Sequence, residues 1–266
     1  MKWLRYEVEP KPAHAGVLGK LFFGIDTELH RPVAIKQVGD VDAGRREARA
    51  LAAVSGHEGV LAVFDFFEFG EHGYIVTERI EGKPLGDDER GKKRSQAFAA
   101  DLTMNLLRVL RHIHARGYLH TDIKPQNILL PKDGAPPVKL VDFGGAAKLG
   151  SDGVFRGMSE AGFPPYMAPE QFEEPAELDE SSDVYQAAGV CAYLLTGRPP
   201  IDPPDIEAEK AYYAECRRRQ MKGFQRDVAN ADMQQILVRA LHPDRAKRYR
   251  RAQELIDALR PFSSEN

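Results

Sequence analysis

The spacing of apolar residues changes once along this chain, at about Gly82, and that change limits the folds open to it. Before it, apolar and polar residues alternate. Leu4, Tyr6 and Val8 are separated by Arg5 and Glu7, the two-residue period of a half-buried strand, and residues 21–25, 33–38 and 60–69 read as further strands. Glu71, His72 and Gly73 form a turn before a fourth run at 74–77, so the last two runs make a hairpin. Residues 43–54 carry Ala, Arg and Leu at helical spacing and stop at Ser55-Gly56. After Gly82 the period becomes helical. Phe98, Leu102, Leu106, Val109 and Ile113 form a long stripe ending at Arg116-Gly117, and Ser181-Ser182-Asp183 offers caps to an apolar helix over 184–197. Met233, Ile236, Leu237, Ala240 and Leu241 make another stripe, as do Leu255, Ile256 and Leu259. Strands followed by helices predict an α+β chain in two parts with a cleft between them.

Composition removes several classes of function. With 37 basic and 40 acidic residues the net charge is −3, so no overall field favours nucleic acid or an anionic membrane. The uncharged run at 184–197 is too short to span a bilayer and has the length of a buried helix, so no membrane insertion is expected. Lys2, Arg5 and Glu7 interrupt the apolar stretch that a secretory leader needs at its start. Cys191 and Cys216 lack metal-ligand spacing, and Cys191 lies within the apolar run. The expectation is a reducing compartment, the cytoplasm.

Several short patterns carry chemistry in a fixed order. Gly16 and Gly19 sit in a turn between strands, where missing side chains let backbone amides approach a phosphate. Val33-Ala34-Ile35-Lys36 ends an apolar strand on a lysine, and Glu47 projects from the next helix, in reach of it. His120-Thr121-Asp122-Ile123-Lys124-Pro125-Gln126-Asn127 supplies an acid, a lysine and an amide in one loop before the apolar Ile128-Leu129-Leu130. Those types suit proton acceptance, phosphate contact and metal binding. Asp142-Phe143-Gly144, Tyr166-Met167-Ala168-Pro169-Glu170, Asp183 and Arg248 follow.

In that order and spacing the chain resembles the protein kinase family, of the serine/threonine type, over nearly its whole length. The resemblance implies a bilobal α+β fold: a small antiparallel sheet with one helix over residues 1–80, and a mainly helical lobe over 81–266. It implies ATP and Mg²⁺ as cofactors, with Mn²⁺ as an alternative, and protein serine or threonine hydroxyls as acceptors. Lys36 then contacts the α- and β-phosphates, with Glu47 as its partner. Asp122 is the catalytic base, Lys124 neutralises the transferred phosphate, and Asn127 and Asp142 hold metal. The nucleotide site comprises His14, Ala15, Gly16, Val17, Leu18, Gly19, Leu21, Ala34, Lys36, Thr77, Glu78, Ile80 and Leu129. Thr77 takes the gatekeeper position, and the segment from Glu78 to Ile80 the adenine hinge. Glu170 and Arg248 form a buried ion pair, and Asp183 braces the catalytic loop.

Four positions depart from the family pattern. His14 replaces the first loop glycine, which predicts weaker ATP binding rather than its loss. Thr121 replaces the arginine that holds a phosphorylated activation loop, so activity is expected not to require that phosphorylation; Ser151, Ser159 and Tyr166 are the only hydroxyls there. Phe163 replaces a threonine beside the acceptor, which alters substrate placement or implies a tethered substrate. Lys36 and Glu47 stand only eleven residues apart, with residues 39–44 as a loop, so the helix is short at its N-terminal end. Arg217-Arg218-Arg219 with Lys222 reads either as a solvated helix end or as a docking patch for an acidic partner. Two other readings remain: a noncatalytic scaffold of the same fold, favoured by His14, Thr121 and Phe163, and a small-molecule kinase of the aminoglycoside-phosphotransferase type. Intact Lys36, Asp122, Asn127 and Asp142 oppose the first; Ala168-Pro169-Glu170 and Asp183 oppose the second.

Overall fold

A computed structural model describes residues 1–16, 19–86, 91–134, 137–158, 162–200 and 228–264. Its first part is one antiparallel sheet built from β1 (Lys2–Trp3), β2 (Tyr6–Val8), β3 (His14–Gly16), β4 (Gly19–Asp26), β5 (Arg31–Val38), β6 (Val63–Phe69) and β7 (His72–Glu78). The strand order is β1-β2-β4-β5-β7-β6, with β3 pairing the first half of β4. Strand alternation sorts the side chains. Phe22, Val33, Ile35, Tyr74 and Val76 join Trp3, Tyr6, Val8 and Phe67 in one core. Leu21, Ala34, Lys36 and Thr77, on the intervening positions, therefore share the opposite face of the sheet. The register aligns them, with Lys36 opposite Leu21 and Ile75, and Ala34 opposite Phe23 and Thr77.

Helix α1 (Val41–Ala53) lies against this sheet, with Asp40 accepting from the N–H of Ala43 as its cap. Its buried stripe of Gly44, Ala48 and Leu51 includes one carboxylate, Glu47. The second part is built on α2 (Gln96–His114) and α3 (Glu180–Thr196), with α4 (Ala231–Ala240) and α5 (Ala252–Leu259) against them. Every residue of α3 from Ser181 onward is buried, as expected of a helix that is apolar all round and runs through a core. Short strands carry the loops between α2 and α3: β9 (Tyr118–Leu119) pairs β12 (Ala147–Lys148), and β10 (Ile128–Pro131) and β11 (Lys139–Leu140) form one sheet with β8 (Gly82–Pro84), which precedes α2. Further on, β13 (Phe155–Gly157) pairs β14 (Ala176–Leu178). No described helix is long and apolar enough to cross a membrane.

Local readings change in five places. The alternation at Leu4, Tyr6 and Val8 belongs to a hairpin, not one strand; Leu4 sits at its turn with φ 53° and is exposed. The turn between β6 and β7 is Gly70-Glu71, because His72 and Gly73 are already paired with Phe69 and Glu68. In the run 60–69 the strand begins at Val63, and Val60 instead bridges Leu140. Asp179 caps α3, and Ser181, Ser182 and Asp183 are turned inward within its first turn. Helix α1 begins at Val41, which leaves only Gly39 and Asp40 between it and β5 rather than a loop over 39–44.

Candidate active site

Three charged groups meet where the two parts face each other. Lys36 Nζ lies 2.8 Å from both carboxylate oxygens of Glu47 and 2.7 Å from Asp142 Oδ1. Burial works against the Lys36 charge, but the two carboxylates outweigh it and raise its pKa. The carboxylates divide unequally. Burial pushes Glu47 up, against the pull of Lys36 and with the like charge of Asp142 adding to the rise. Asp142 is held low despite its burial, because Lys36 pairs with it directly. Asp142 adopts φ 63°, a left-handed conformation that aspartate tolerates better than most residues. Phe143 then turns into the core, 1% exposed, with its ring edge-on to His120 at 4.7 Å.

The loop after β9 carries the second cluster. Asp122 is 6% exposed; its Oδ2 accepts from Lys124 Nζ at 2.7 Å and Asn127 Nδ2 at 3.0 Å, while Oδ1 is buried with no partner. Asn127 Nδ2 also donates to the Asp122 carbonyl at 2.8 Å, and its Oδ1 accepts no hydrogen bond among the described residues. Asp183 fixes the loop from α3, accepting from the N–H groups of His120 and Thr121 at 2.9 and 2.8 Å and from His114 Nε2 at 2.8 Å. Burial opposes its charge, yet these donors hold its carboxyl below the ordinary range. Downstream, Arg248 grips Glu170 through two bonds of 2.8 and 2.9 Å, both side chains buried.

The departures from the family pattern have definite places. Thr121 is buried at φ 67° and its hydroxyl donates to the Gly145 carbonyl at 2.7 Å. Phe163 packs on the main core with its ring 5.8 Å from Lys124 Nζ. His14 is exposed on β3, opposite Leu21, and Ala15 is exposed beside it. Gly16 pairs with Gly19 at the end of the β3–β4 hairpin. Val17, Leu18, Ser159, Cys216, Lys222 and the Arg217-Arg218-Arg219 run lie outside the described residues. Ser151 is exposed, and Tyr166 is buried in the core.

At the inner edge of the cleft Thr77 is buried opposite Ala34, and Glu78 and Ile80 are half-buried. Leu129 sits in β10 between Lys139 and Pro84. The Glu78 carboxylate turns away to accept from the N–H of Ala62 at 2.7 Å and to pair with Lys139, binding this segment to the strand that leads into Asp142. Sequence reasoning missed Lys139 and three buried polar side chains, His114, Gln171 and Gln186. Lys139 and Gln186 are polar residues inside apolar stretches, the one signal that could have raised them; His114 and Gln171 stand among other polar residues and give none.

A curled antiparallel sheet set over a helical body, with paired lysine, glutamate and aspartate across the join and an acid loop beneath, defines the bilobal kinase class of fold. Residues 15–258 match the protein kinase domain, and the chain belongs to that family. It is 32% identical over 264 residues to the serine/threonine-protein kinase pkn2 of Myxococcus xanthus, covering 94% of this chain and 31% of that one. It is 38% identical over 213 residues to the serine/threonine-protein kinase PknL of Mycobacterium tuberculosis, covering 74% of this chain and 50% of that one. A calcium-dependent protein kinase 7 of Oryza sativa is 35% identical over 165 residues, 61% of this chain and 30% of the plant protein. The chain thus spans half or less of the length of these relatives.

Proposed function

We propose that the chain is an ATP- and Mg²⁺-dependent serine/threonine protein kinase domain of the cytoplasm, with residues 1–80 and 81–266 as its lobes. The observation that carries this reading is Asp122: one carboxylate oxygen is held by Lys124 and Asn127, and the other is buried and unpartnered. A buried acceptor without a donor is costly, about 1–3 kcal/mol, unless a substrate group completes it. An acceptor hydroxyl is such a group. The buried, unpaired thiol of Cys191 suits a reducing compartment.

The donor set fits the metal. Asn127 Oδ1 and the Asp142 oxygen not facing Lys36 would serve as hard oxygen ligands, and Mg²⁺ takes one or two such protein groups with waters and substrate phosphate completing its shell. Bound there, Mg²⁺ or Mn²⁺ would neutralise charge on the phosphate oxygens. Lys36, fixed by Glu47, presents its ammonium to the α- and β-phosphates. Asp122 Oδ1 orients the acceptor hydroxyl and takes its proton as the oxygen bonds to the γ-phosphorus and the bond to the β–γ bridging oxygen breaks. Lys124, already against Asp122, meets the charge on the moving phosphoryl group.

The same reading makes transfer independent of activation-loop phosphorylation. A threonine cannot clamp a phosphate as an arginine does, and the Thr121 hydroxyl is engaged internally with Gly145. Arg156, on the pairing strand β13, is satisfied by Asp152 at 2.6 Å and Glu177 at 3.1 Å. The test is incubation with Mg²⁺, γ-labelled ATP and a basic protein substrate. Wild type should label serine or threonine, and Asp122→Asn should lower turnover about 10²–10⁴-fold with ATP binding retained. Turnover near wild type in that variant would refute Asp122 as the base.

A further inference from the structure

We propose that Gln171 and Gln186 are positioning residues for Asp122: their buried amides clamp the two peptide groups on either side of it and tie the loop to the segment carrying Ala168 and Glu170. The bonds form a closed set. Gln186 Nε2 donates to the Thr121 carbonyl at 2.7 Å and to Gln171 Oε1 at 2.9 Å, and its Oε1 accepts from the N–H of Ile123 at 3.0 Å. Gln171 Nε2 donates to the same Thr121 carbonyl at 2.9 Å, and its Oε1 accepts from the N–H of Ala168 at 2.8 Å. Both side chains are almost fully buried, at 4% and 1% exposure.

The set works in one orientation only. Flipping either amide would set an acceptor against the Thr121 carbonyl and a donor against the N–H of Ile123 or Ala168. Thr121 explains why a clamp is needed. A β-branched residue avoids φ 67°, so its neighbours must impose that conformation. Every polar atom of Thr121 is engaged: its N–H by Asp183, its hydroxyl by Gly145, and its carbonyl by the two glutamines. With the carbonyl before Asp122 and the N–H after it both fixed, the direction of the Asp122 side chain is fixed too. Gln171 lies on the 3-10 turn Pro169–Phe172 and Gln186 on α3, so one amide pair joins base, acceptor-side segment and core helix.

The inference rests on reading the chain as a phosphotransferase, and the experiment separates the two. Gln171→Glu keeps the acceptor for Ala168 and Gln186 but sets a carboxylate oxygen against the Thr121 carbonyl. At neutral pH kcat should fall about 10- to 100-fold with KM for ATP within about twofold of wild type. As the pH is lowered the ratio to wild type should recover, because a protonated carboxyl again donates to that carbonyl and burial brings its titration into the assay range. The titratable groups around it, His120, Asp122, Asp183 and Glu170 with Arg248, are shared with wild type and cancel in the ratio. Gln171→Leu should lose activity at every pH without recovery. Gln186→Glu, which keeps the acceptor for Ile123, gives the same signature should Gln171→Glu fail to fold. Hydrogen exchange at the Thr121 and Ile123 amides should quicken in each variant whether or not transfer is measured. Active wild type with unchanged variants, or variant pH profiles parallel to wild type, overturns the clamp. Inactive wild type with quickened exchange supports the clamp and overturns the kinase reading instead.

Discussion

Arg248→Met removes the charge carried by the largest fully buried side chain among the described residues. The Arg248 side chain is fully buried, and besides its two bonds to Glu170 it donates to the carbonyls of His242 at 2.6 Å and Pro243 at 2.9 Å. Its guanidinium also lies over the Tyr185 ring at 4.7 Å. Methionine fills much of the volume but takes both guanidinium bonds from the Glu170 carboxylate, leaving the Ser182 hydroxyl, 2.7 Å away, as its side-chain donor, and strands both carbonyls. Breaking one side of such a pair costs about 3–5 kcal/mol. For a chain of this size that lowers the melting temperature by roughly 6–20 °C. Calorimetry on wild type, Arg248→Met, Glu170→Gln and the double variant measures it. The double variant should lose about 0.5–3 kcal/mol less than the sum of the singles, since it leaves no uncompensated charge. A single-variant loss below about 1 kcal/mol, the value of a surface pair, would show that the pair is not the buried anchor its geometry implies.

Two further outcomes follow from ionisation. Glu170 and Asp183 are held below the ordinary carboxylate range against the effect of burial, by Arg248 and by His114 with the His120 N–H respectively, and Asp142 is held low by Lys36. Their stabilisation is present above the unfolded carboxylate values and lost as the pH falls through the depressed ones; burial of neutral His120 lowers its pKa and adds loss below about pH 6.5. Glu47, raised by burial, works the other way, its contribution falling as the pH rises. Melting temperature should therefore decline gently from pH 7 and steeply below about pH 4, and a flat profile to pH 3 would contradict the assignment. Separately, Cys191 is fully buried and its thiol is pushed up to about 11, so peptide mapping should find it unlabelled by a disulfide reagent until the chain is unfolded. Labelling of the native protein within minutes would refute its burial.

The architecture was legible because its two periods are strong. Alternation at Val33, Ala34, Ile35 and Lys36 gave not only β5 but also the face on which Lys36 lies, and α3 declared itself through an uncharged run. What stayed hidden was geometry that no period encodes. Leu4, Tyr6 and Val8 satisfy one strand and a hairpin equally well, and only the left-handed backbone at Leu4 decides between them. Asp183 was legible both as a helix cap and, through the resemblance, as a brace, and the nearer Asp179 takes the first task because Asp183 is committed to the loop. Gln171 and Gln186 carry neither charge nor stripe, and their meaning exists only once sequence-distant segments are brought together at Thr121.

Trp3 is the only tryptophan in the chain, and it stands edge-on to Phe22 at 5.0 Å and tilted against Tyr74 at 4.7 Å, at the far side of the sheet from the cleft. The protein thereby carries a fluorophore that sees the first lobe alone. Far-ultraviolet dichroism is dominated by α2 and α3 in the second. Followed together during unfolding, the two signals separate the lobes without any label: coincident curves mean that the Lys36, Glu47 and Asp142 contacts across the cleft make them one cooperative unit, and staggered curves mean that the sheet opens by itself.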